Sequence, residues 1–315
     1  AERSWRMRIE TIGNAVLYHG DALEILSKLD IGSVQSCVTS PPYWGLRDYG
    51  VDGQAGLENT PEEYIDKMVN IFRLVRNILN DNGTLWLNLG DSYSGSGKGG
   101  NPEAGKQSTN KGSQSVGVLY GKTEESARQA AVTNVSRKLC AGSGIAPKQL
   151  LGIPWRVALA LQADGWYLRS DIIWAKPNPM PESVMDRPTR AHEYIFLFSK
   201  SPRYYYDAGA IKEPMSKDEQ SANGANKRDV WTVATQPYSG AHFATFPTKL
   251  IEPCILAGSR VGDVILDPFM GSGTSGEVAL QHGRKFVGVE LNEKYIDELA
   301  IPRIDQAQKQ GRLFA

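Results

Sequence analysis

Apolar residues in the first half of the chain recur with two different periods, which separate short strands from longer helices. The segment AVLYHGDALEIL predicts a strand, a turn at Gly20-Asp21 and a helix, and SVQSCVT predicts a strand that runs directly into Ser40. Thr60, followed by proline and by Glu63, predicts the start of a second helix. The apolar stripe of that helix consists of Tyr64, Met68, Ile71, Phe72, Val75, Ile78 and Leu79.

The same alternation of helices and strands continues to the end of the chain. Gly83 is predicted to end the long helix, and TLWLNL follows as a buried strand. Next come a helix PWRVALALQAD that ends at Gly165, strands WYLRSDIIWAK and EYIFLFSK, and two short helical pieces around Pro253. Strand VILDPF, a glycine-rich turn with a helix, strand RKFVGVEL and a final helix from Asn292 complete the pattern. Such repetition is typical of an α/β fold with a mostly parallel sheet covered by helices on both faces.

Two polar, irregular stretches interrupt this pattern. Residues 94–148 hold ten glycines, and their eight Lys and Arg residues outnumber three acidic residues. A loop of this length inside a compact domain is either functional or a disordered surface insertion. Its positive charge is typical of a segment that orders on a phosphate backbone. Residues 201–241 are irregular as well.

Composition restricts the class of protein without naming a function. The 315 residues are 41% hydrophobic and 22% charged, which indicates one large domain or two and excludes wholesale disorder. The 35 Lys and Arg residues balance 35 Asp and Glu residues, so a polyanion must bind to a local basic surface. The three cysteines form no CxxC pair and the four histidines do not cluster, so we expect no metal. Without a membrane-length apolar run or a signal-peptide pattern, we expect a soluble, intracellular protein with no membrane partner.

The turn from Gly271 to Gly276 matches the spacing of a dinucleotide-binding fingerprint. However, Asp267 at the preceding strand tip would repel a pyrophosphate, and too few residues follow the turn to complete a dinucleotide fold. An acid in that place suits an ammonium group, although alone it is also compatible with helix capping. Glu290, at the end of the next strand, is placed to accept hydrogen bonds from both ribose hydroxyls. A nucleoside with a positively charged tail fits this pair, and S-adenosylmethionine is such a molecule.

Ser40-Pro41-Pro42-Tyr43 lies at the tip of a predicted strand. The Ser40 hydroxyl and the Pro41 carbonyl are hydrogen-bond acceptors, and the prolines fix φ without adding a competing N–H donor. Tyr43 offers a face for stacking of a planar ring, and Tyr43 or Trp44 offers a cation–π face for a sulfonium. Alone, this tetrapeptide is also a common turn.

The motifs together resemble those of the amino-methylating DNA methyltransferases, in the order of their β group: TSPPYW, LWLNLGDSY, DIIWAKPNPMP, HEYIFLFSK, FPTKL, DPFMGSGT and GVELN. The resemblance implies a Rossmann-like methyltransferase fold dependent on S-adenosylmethionine, with a circularly permuted, mostly parallel sheet, an antiparallel addition and DNA-contacting insertions. The N-terminal strand is then expected beside the last strand, with Asp21 near the adenine. The expected catalytic residues are Ser40, Pro41, Pro42 and Tyr43. Exocyclic amines of cytosine and adenine are poor nucleophiles because the lone pair is delocalised, so their methylation requires acceptors for the amino hydrogens, and the Ser40 hydroxyl and the Pro41 carbonyl are such acceptors. Tyr43 is expected to stack on the extruded base. The expected cofactor-binding residues are Asp21, Ala22, Thr39, Phe246, Pro247, Thr248, Asp267, Pro268, Phe269, Gly271, Ser272, Gly273, Thr274, Glu290, Leu291 and Asn292.

The resemblance also divides the chain into five expected segments. Residues 1–93 form the catalytic half, 94–148 a basic insertion that is a candidate for DNA binding, and 149–200 the rest of the catalytic sheet. Residues 201–241 are the candidate target-recognition region, and 242–315 form the cofactor-binding half.

The identity of the methylated base depends on the first residue of the tetrapeptide. In the family, serine mostly accompanies methylation of cytosine at N4, whereas Asp or Asn mostly accompanies methylation of adenine at N6. Ser40 therefore favours cytosine N4, and adenine N6 is the alternative. Methylation of cytosine at C5 requires a cysteine nucleophile, and Cys254 lies among apolar helical residues, where we expect it to pack in the core.

The resemblance implies double-stranded DNA as the partner, with the target base extruded from the helix. A second copy of the chain is a candidate partner, and the cytoplasm of a bacterium or archaeon, or of a phage host, is the expected location. Two alternatives remain: methylation of RNA, protein or a small molecule, and DNA binding without methyl transfer. The candidate DNA contacts are Trp44, Lys98, Lys111, Arg137, Lys138, Arg187, Arg190, Lys227 and Arg228.

Overall fold

The computed structural model describes residues 8–29, 34–46, 48–94, 144–214, 224–236 and 246–311. The chain divides into two compact units. The first unit comprises the chain up to Pro41, Lys67–Gly90 and the chain from Pro154 onward, and the second comprises Pro42–Asp66 and Asp91–Ile153. The five expected segments stay a prediction, since most of the 94–148 insertion lies outside the described residues.

The strands of the described residues form one sheet within the first unit. They are β1 (Arg8–Ile12), β2 (Ala15–His19), β3 (Val34–Thr39), β4 (Leu79–Leu89), β5 (Tyr167–Ala175), β6 (His192–Ser199), β7 (Val230–Thr232), β8 (Val264–Asp267) and β9 (Lys285–Glu290). Their spatial order is β1-β2-β9-β8-β3-β4-β6-β5-β7. Strands β2, β9, β8, β3 and β4 run parallel, whereas β6 is antiparallel to both β4 and β5. The predicted α/β fold class, with a mostly parallel sheet and an antiparallel addition, is confirmed.

The N-terminal part of the chain completes the sheet beside the C-terminal part. Strand β2 pairs in parallel with β9, so that Leu17 lies opposite Gly288 and His19 lies opposite Glu290. The expected position of the N-terminal strand beside the last strand is therefore confirmed, and this pairing covers an edge of β9 that would otherwise expose unpaired backbone groups. Strand β1 was not predicted, and it pairs antiparallel with the outer edge of β2.

The helices begin largely where local sequence signals predict. They are α1 (Ala22–Lys28), α2 (Pro61–Ile78), α3 (Ile153–Ala163), α4 (Thr248–Gly258), α5 (Thr274–Gln281), α6 (Glu293–Tyr295) and α7 (Ile301–Gly311). The Thr60 hydroxyl accepts a hydrogen bond from the N–H of Glu63 at 3.2 Å, as a capping residue does. Among the helices of the described residues, none combines the length and the apolar character that a membrane crossing requires.

A hydrophobic cluster in the first unit packs α4 against the sheet. Leu250 and Cys254 of α4 are fully buried with Trp86 of β4 and Ile265 of β8. Burial raises the pKa of the Cys254 thiol, so this sulfur stays protonated. The prediction that Cys254 packs in the core is confirmed.

The second unit holds its loops by hydrogen bonds within the unit. The indole N–H of Trp44 donates to the carbonyl of Glu58 at 2.9 Å, and the side chain is only 1% exposed. This buried position does not support the predicted contact between Trp44 and DNA. The carboxylate of Asp91 accepts hydrogen bonds from the N–H groups of Gly152 and Ile153, at 3.1 Å each, where α3 begins.

Two predicted helix boundaries are wrong. Helix α2 ends at Ile78, and Gly83 lies inside β4, where the register against β3 shifts. A Cβ at Gly83 would lie 2.9 Å from the carbonyl oxygen of Asn80, so close backbone approach explains this glycine. Pro253 lies inside the single helix α4. Burial of the apolar face of α4 outweighs the one backbone hydrogen bond that the proline removes.

Gly276 allows α5 to lie close to β9 and α7. A Cβ at this position would lie 2.7 Å from the ring of Phe286 and would also overlap Ile304. We expect Gly276→Ala to lower the free energy of unfolding by about 1–3 kcal/mol, because it overpacks the core. Urea denaturation of the variant and the wild type measures this change, and an unchanged midpoint would contradict the close packing.

Candidate active site

The carboxyl ends of β2, β9, β8 and β3 lie at one edge of the sheet in the first unit. Ligands of doubly wound sheets bind outside this edge. The N–H of Gly20 donates to the carbonyl of Glu290 at 3.0 Å, which ties the end of β2 to the end of β9. The N–H of Met270 donates to the carbonyl of Val289 at 2.9 Å, which folds the turn after β8 over the end of β9.

The carboxylate of Glu290 connects two backbone segments at this edge. Its Oε2 accepts a hydrogen bond from the N–H of Gly271 at 2.9 Å, and its Oε1 accepts one from the N–H of Asn292 at 2.7 Å. Burial raises the pKa of Glu290 to about 7, and the negative charge of Asp267 adds to this effect. A carboxylate has about four acceptor positions, so Glu290 can also bind a ligand while it holds the turn.

Asp267 is 1% exposed, and its carboxylate accepts hydrogen bonds from donors of the protein itself. Its Oδ1 accepts hydrogen bonds from the hydroxyl of Thr39 at 2.6 Å and from the N–H of Phe269 at 3.0 Å. Its Oδ2 accepts a hydrogen bond from the hydroxyl of Ser275. Burial raises the pKa of Asp267 to about 6. This network joins the end of β3 to the end of β8, although the two residues Thr39 and Asp267 are 228 positions apart.

The glycine-rich turn depends on glycine and on an arginine that sequence analysis missed. Gly271 and Gly273 have φ values of +51° and +79°, a region that other residues rarely adopt. Arg303 of α7 donates to the hydroxyl of Ser272 at 2.7 Å and to the hydroxyl of Thr274 at 2.6 Å. No spacing or periodicity relates Arg303 to this turn, so only the fold reveals the contact.

The predicted cofactor-binding residues differ in exposure. Asp21 is half-buried at the end of β2, and its carboxylate accepts a hydrogen bond from the N–H of Glu24 at 3.1 Å. The half-buried members, which are open to contact with a ligand, are Asp21, Phe246, Thr248, Phe269, Gly271, Glu290, Leu291 and Asn292. The buried members are Ala22, Thr39, Pro247, Asp267, Pro268, Ser272, Gly273 and Thr274.

The tetrapeptide follows β3 directly, and within it the chain passes from the first unit to the second. Ser40 is half-buried and comes directly after Thr39 at the strand end, and Pro41 is buried. The carbonyl of Pro42 accepts a hydrogen bond from the hydroxyl of Tyr64 at 2.9 Å. Tyr64 was predicted only as part of the apolar stripe of α2, so this contact is a second one that sequence analysis missed. Tyr43 is half-buried in the second unit.

Three of the basic residues predicted to contact DNA form ion pairs in the structure, namely Arg187, Lys227 and Arg228. Lys227 and Arg228 contact the carboxylate of Glu213 at 3.3 and 3.1 Å. Arg187 contacts the carboxylate of Glu182 at 2.7 Å and lies with Arg190 in the loop between β5 and β6. Their contact with DNA remains a prediction. Lys98, Lys111, Arg137 and Lys138 lie outside the described residues.

The two carboxylates at the sheet edge fit a nucleoside with a cationic tail. Asp267 and Glu290 supply negative charge, which suits an ammonium or sulfonium group and a ribose diol and opposes a pyrophosphate. Among the described residues, no group of three or more His, Cys, Asp or Glu side chains is arranged to hold a metal ion.

The permuted sheet, the glycine-rich turn after β8, the acid at the end of β9 and the tetrapeptide after β3 define an S-adenosylmethionine-dependent methyltransferase of the Rossmann-like class. The DNA methylase family N6_N4_Mtase matches residues 34–301, and the chain belongs to this family.

Relatives and solved structures agree with this assignment. The Type II methyltransferase M.Cfr9I of Citrobacter freundii is 48% identical over 293 residues, which cover 93% of this chain and 88% of the relative. The structure of PvuII DNA methyltransferase (cytosine-N4-specific) is similar with a TM-score of 0.63 and 19% identity, over 96% of this chain and 93% of that one. TTHA0409 from Thermus thermophilus, solved with S-adenosyl-L-methionine, is similar with a TM-score of 0.56 and 23% identity, over 93% and 95% of the two chains. The predicted fold and the predicted cofactor, S-adenosylmethionine, are confirmed.

Proposed function

We propose that this chain, as a member of the β group, transfers a methyl group from S-adenosylmethionine to the N4 amine of cytosine in double-stranded DNA. The hydrogen bond between Thr39 and Asp267 at 2.6 Å carries the proposal, because it links the residue before Ser40 to the start of the cofactor turn. The serine at the first position of the tetrapeptide and the cytosine-N4 specificity of the similar PvuII enzyme support cytosine as the target.

Residues at the carboxyl edge of the sheet would bind the cofactor. S-adenosylmethionine supplies an electrophilic methyl group on its sulfonium. Glu290 would hold the ribose hydroxyls through its carboxylate oxygens, which also hold the backbone at Gly271 and Asn292. Asp267 would hold the turn in place and add negative charge beneath the cationic tail, and Asp21 would lie towards the adenine.

The chemical step requires hydrogen-bond acceptors and no enzyme nucleophile. We infer that the Ser40 hydroxyl oxygen accepts one amino hydrogen and the Pro41 carbonyl oxygen accepts the other, which favours a pyramidal nitrogen. Because Tyr64 donates to the Pro42 carbonyl, the end of the tetrapeptide is held before substrate arrives. Preorganised acceptors of this kind lower the barrier without reorganisation during the reaction.

The cysteines of the described residues support direct transfer. Cys37 and Cys254 are both fully buried, and burial raises the pKa of both thiols. A buried, protonated thiol is a poor nucleophile, so neither is suited to attack a pyrimidine ring. This favours methylation of an exocyclic amine over methylation of cytosine C5.

A duplex substrate also requires base extrusion, because an amine within the stack cannot reach a recessed site. Tyr43 ends the tetrapeptide that carries the two acceptors, and we propose that its ring stacks on the extruded base. The name of the relative, Type II methyltransferase, places it in site-specific DNA modification. We infer the same role for this chain, namely protection of one DNA sequence within a restriction–modification system.

The methylated base can be identified directly. DNA methylated by the purified protein is digested to nucleosides and analysed by mass spectrometry, and sequencing of the same DNA maps the modified site. N4-methylcytosine is the expected product. Detection of N6-methyladenine would identify adenine as the target base and would leave the DNA methyltransferase function in place. Unmodified DNA together with methylated RNA or protein would contradict the proposal that DNA is the substrate.

The pKa of Glu290 predicts a pH dependence of cofactor binding. Ribose hydroxyls bind the ionised carboxylate more strongly, and this carboxyl has a pKa of about 7. Affinity should therefore fall about tenfold as the pH is lowered by about two units through this pKa, and should level off at higher pH. Calorimetric titration with S-adenosylmethionine measures the profile. The variant Glu290→Gln should bind the cofactor weakly at every pH. If its affinity depended on pH in the same way as that of the wild type, another group would be responsible for the pH dependence.

A further inference from the structure

The loop between β5 and β6, residues 176–191, projects from the edge of the sheet that carries the candidate active site. Strands β4 and β5 both run antiparallel to β6, so they run parallel to each other. Strand β4 is in turn parallel to β3. The carboxyl end of β5, where the 176–191 loop begins, therefore lies at the same edge as Ser40, and both belong to the first unit.

Hydrogen bonds hold the 176–191 loop at its base. The N–H of Lys176 donates to the carbonyl of Ala191 at 2.8 Å, which closes the base. The amide of Asn178 exchanges two hydrogen bonds with the backbone of Thr235, at 2.9 and 3.3 Å. The prolines of the loop, which restrict its backbone further, are Pro177, Pro179, Pro181 and Pro188.

An ion pair inside the 176–191 loop neutralises the positive charge of Arg187. Arg187 donates to the carboxylate of Glu182 at 2.7 Å, and the N–H of Arg190 donates to the same oxygen at 3.3 Å. The hydrogen bond from Arg187 lowers the pKa of Glu182, so the pair remains charged and closed near neutral pH. The pair therefore shapes the loop and reduces the positive charge available to DNA phosphates.

Two methionines extend from this loop into solvent. Met180 is 84% exposed and Met185 is 103% exposed, which makes them the most exposed large apolar side chains among the described residues. Exposed apolar side chains on a loop at the edge that carries the candidate active site are available to a bound partner. Methionine is suited to such a surface, because its flexible thioether adapts to irregular gaps and makes favourable contacts with aromatic rings.

The chemistry of these side chains matches a stack of nucleobases from which one base has left. Proteins that open or kink a duplex insert apolar side chains, methionine among them, between base steps. A methyltransferase that extrudes its target leaves a gap of aromatic surface in the duplex. An unbranched apolar side chain enters such a gap without bringing a polar group that would lose its hydrogen bonds.

We propose that Met180 and Met185 insert into the DNA duplex beside the target base and stabilise its extruded state. The proposal rests on the proposed function, since it assigns these residues to the same DNA-modifying site. They act as positioning residues, because they touch the neighbouring bases and not the reacting amine. The 176–191 loop thereby has a role in opening duplex DNA, in addition to the DNA contacts predicted for Arg187 and Arg190.

The test uses the double variant Met180→Ala/Met185→Ala on two duplexes that contain the mapped site. In one duplex the target base is paired, and in the other it lies opposite an abasic position, where extrusion costs less. We expect kcat/KM to fall at least about tenfold on the paired duplex and to change less than about threefold on the unpaired one. The conservative variant Met180→Leu/Met185→Leu should retain most of the rate on both.

Fluorescence provides a readout that does not require methyl transfer. With 2-aminopurine at the target position, extrusion by the wild type should increase emission, and the double alanine variant should lose most of that increase. The matched control is Val261→Ala, which removes another apolar side chain that is 74% exposed and lies on the turn before β8, at the opposite edge of the sheet. Val261→Ala should behave as the wild type in both assays.

The outcomes test the insertion of the methionines separately from the proposed DNA methylation. Equal loss on both duplexes, or no loss on either, would overturn the insertion of the methionines and leave DNA methylation in place. If the wild type extrudes the base in a methionine-dependent manner but transfers no methyl group, the insertion stands and the proposed function fails. Absence of both extrusion and transfer in the wild type would overturn both.

Discussion

Ser40→Ala is expected to lower kcat by about 100-fold or more while the affinity for S-adenosylmethionine changes less than about threefold. Loss of one preorganised hydrogen-bonding group in a closed active site typically has an effect of this size on the chemical step. Cofactor affinity should persist, since the Thr39–Asp267 bond and both Glu290 contacts do not involve the Ser40 side chain. Single-turnover methyl transfer and calorimetric titration of the cofactor measure the two quantities separately.

A matched serine on the same strand provides the control for this prediction. Ser36 lies in β3, and its hydroxyl forms a buried hydrogen bond with that of Thr84 at 3.1 Å. Ser36→Ala removes the same atom away from the strand end, so it should reduce stability and leave the single-turnover rate close to that of the wild type. Equal rates for Ser40→Ala and Ser36→Ala would exclude an acceptor role for Ser40.

Asp267→Ala is expected to weaken cofactor binding by about 10- to 100-fold and to lower the free energy of unfolding by about 1–3 kcal/mol. The substitution removes the acceptor for two buried hydroxyls, those of Thr39 and Ser275, and for the N–H of Phe269. A buried donor without an acceptor costs about 1–3 kcal/mol. The turn that carries Gly271 would also lose its anchor at the end of β8. Calorimetry with S-adenosylmethionine and urea denaturation measure the two effects.

Asp267→Asn separates two roles of the carboxylate. The amide keeps the shape and one acceptor oxygen, but it removes the negative charge. If the charge acts on the cationic tail of the cofactor, the asparagine variant should lose nearly as much affinity as the alanine variant while retaining more stability. Full recovery of affinity in Asp267→Asn would limit Asp267 to holding the turn, and unchanged affinity in both variants would refute any part in cofactor binding.

Local signals predicted the elements that form the site. Asp21 and Thr60 were expected at helix starts, and each accepts a hydrogen bond from an N–H three residues later. The expectation that AVLYH lies beside the last strand was also confirmed by the parallel pairing of β2 and β9. Both succeeded because capping involves neighbours in sequence, and because an apolar strand must be paired on both edges when it is buried.

The wrong or missing assignments concern residues whose local preference competes with distant contacts. Gly83 is typical of a helix end, but the close approach of Asn80 within β4 requires it instead. Pro253 is typical of a helix break, but burial of the neighbouring Cys254 keeps α4 continuous. Strands β1 and β7 carry weak patterns, since their residues are exposed on alternate positions.

The sequence by itself determined the type of fold and the cofactor class, because the alternation of strands and helices, the chemistry of Asp267 and Glu290 and the resemblance of the motifs to a known family all indicate them. It did not reveal which distant residues contact one another. The bonds from Thr39 to Asp267, from Arg303 to Ser272 and from Tyr64 to Pro42 form only when distant segments pack together. Such contacts have no sequence spacing, because their partners are set by which strands are neighbours in the sheet and by how the helices pack.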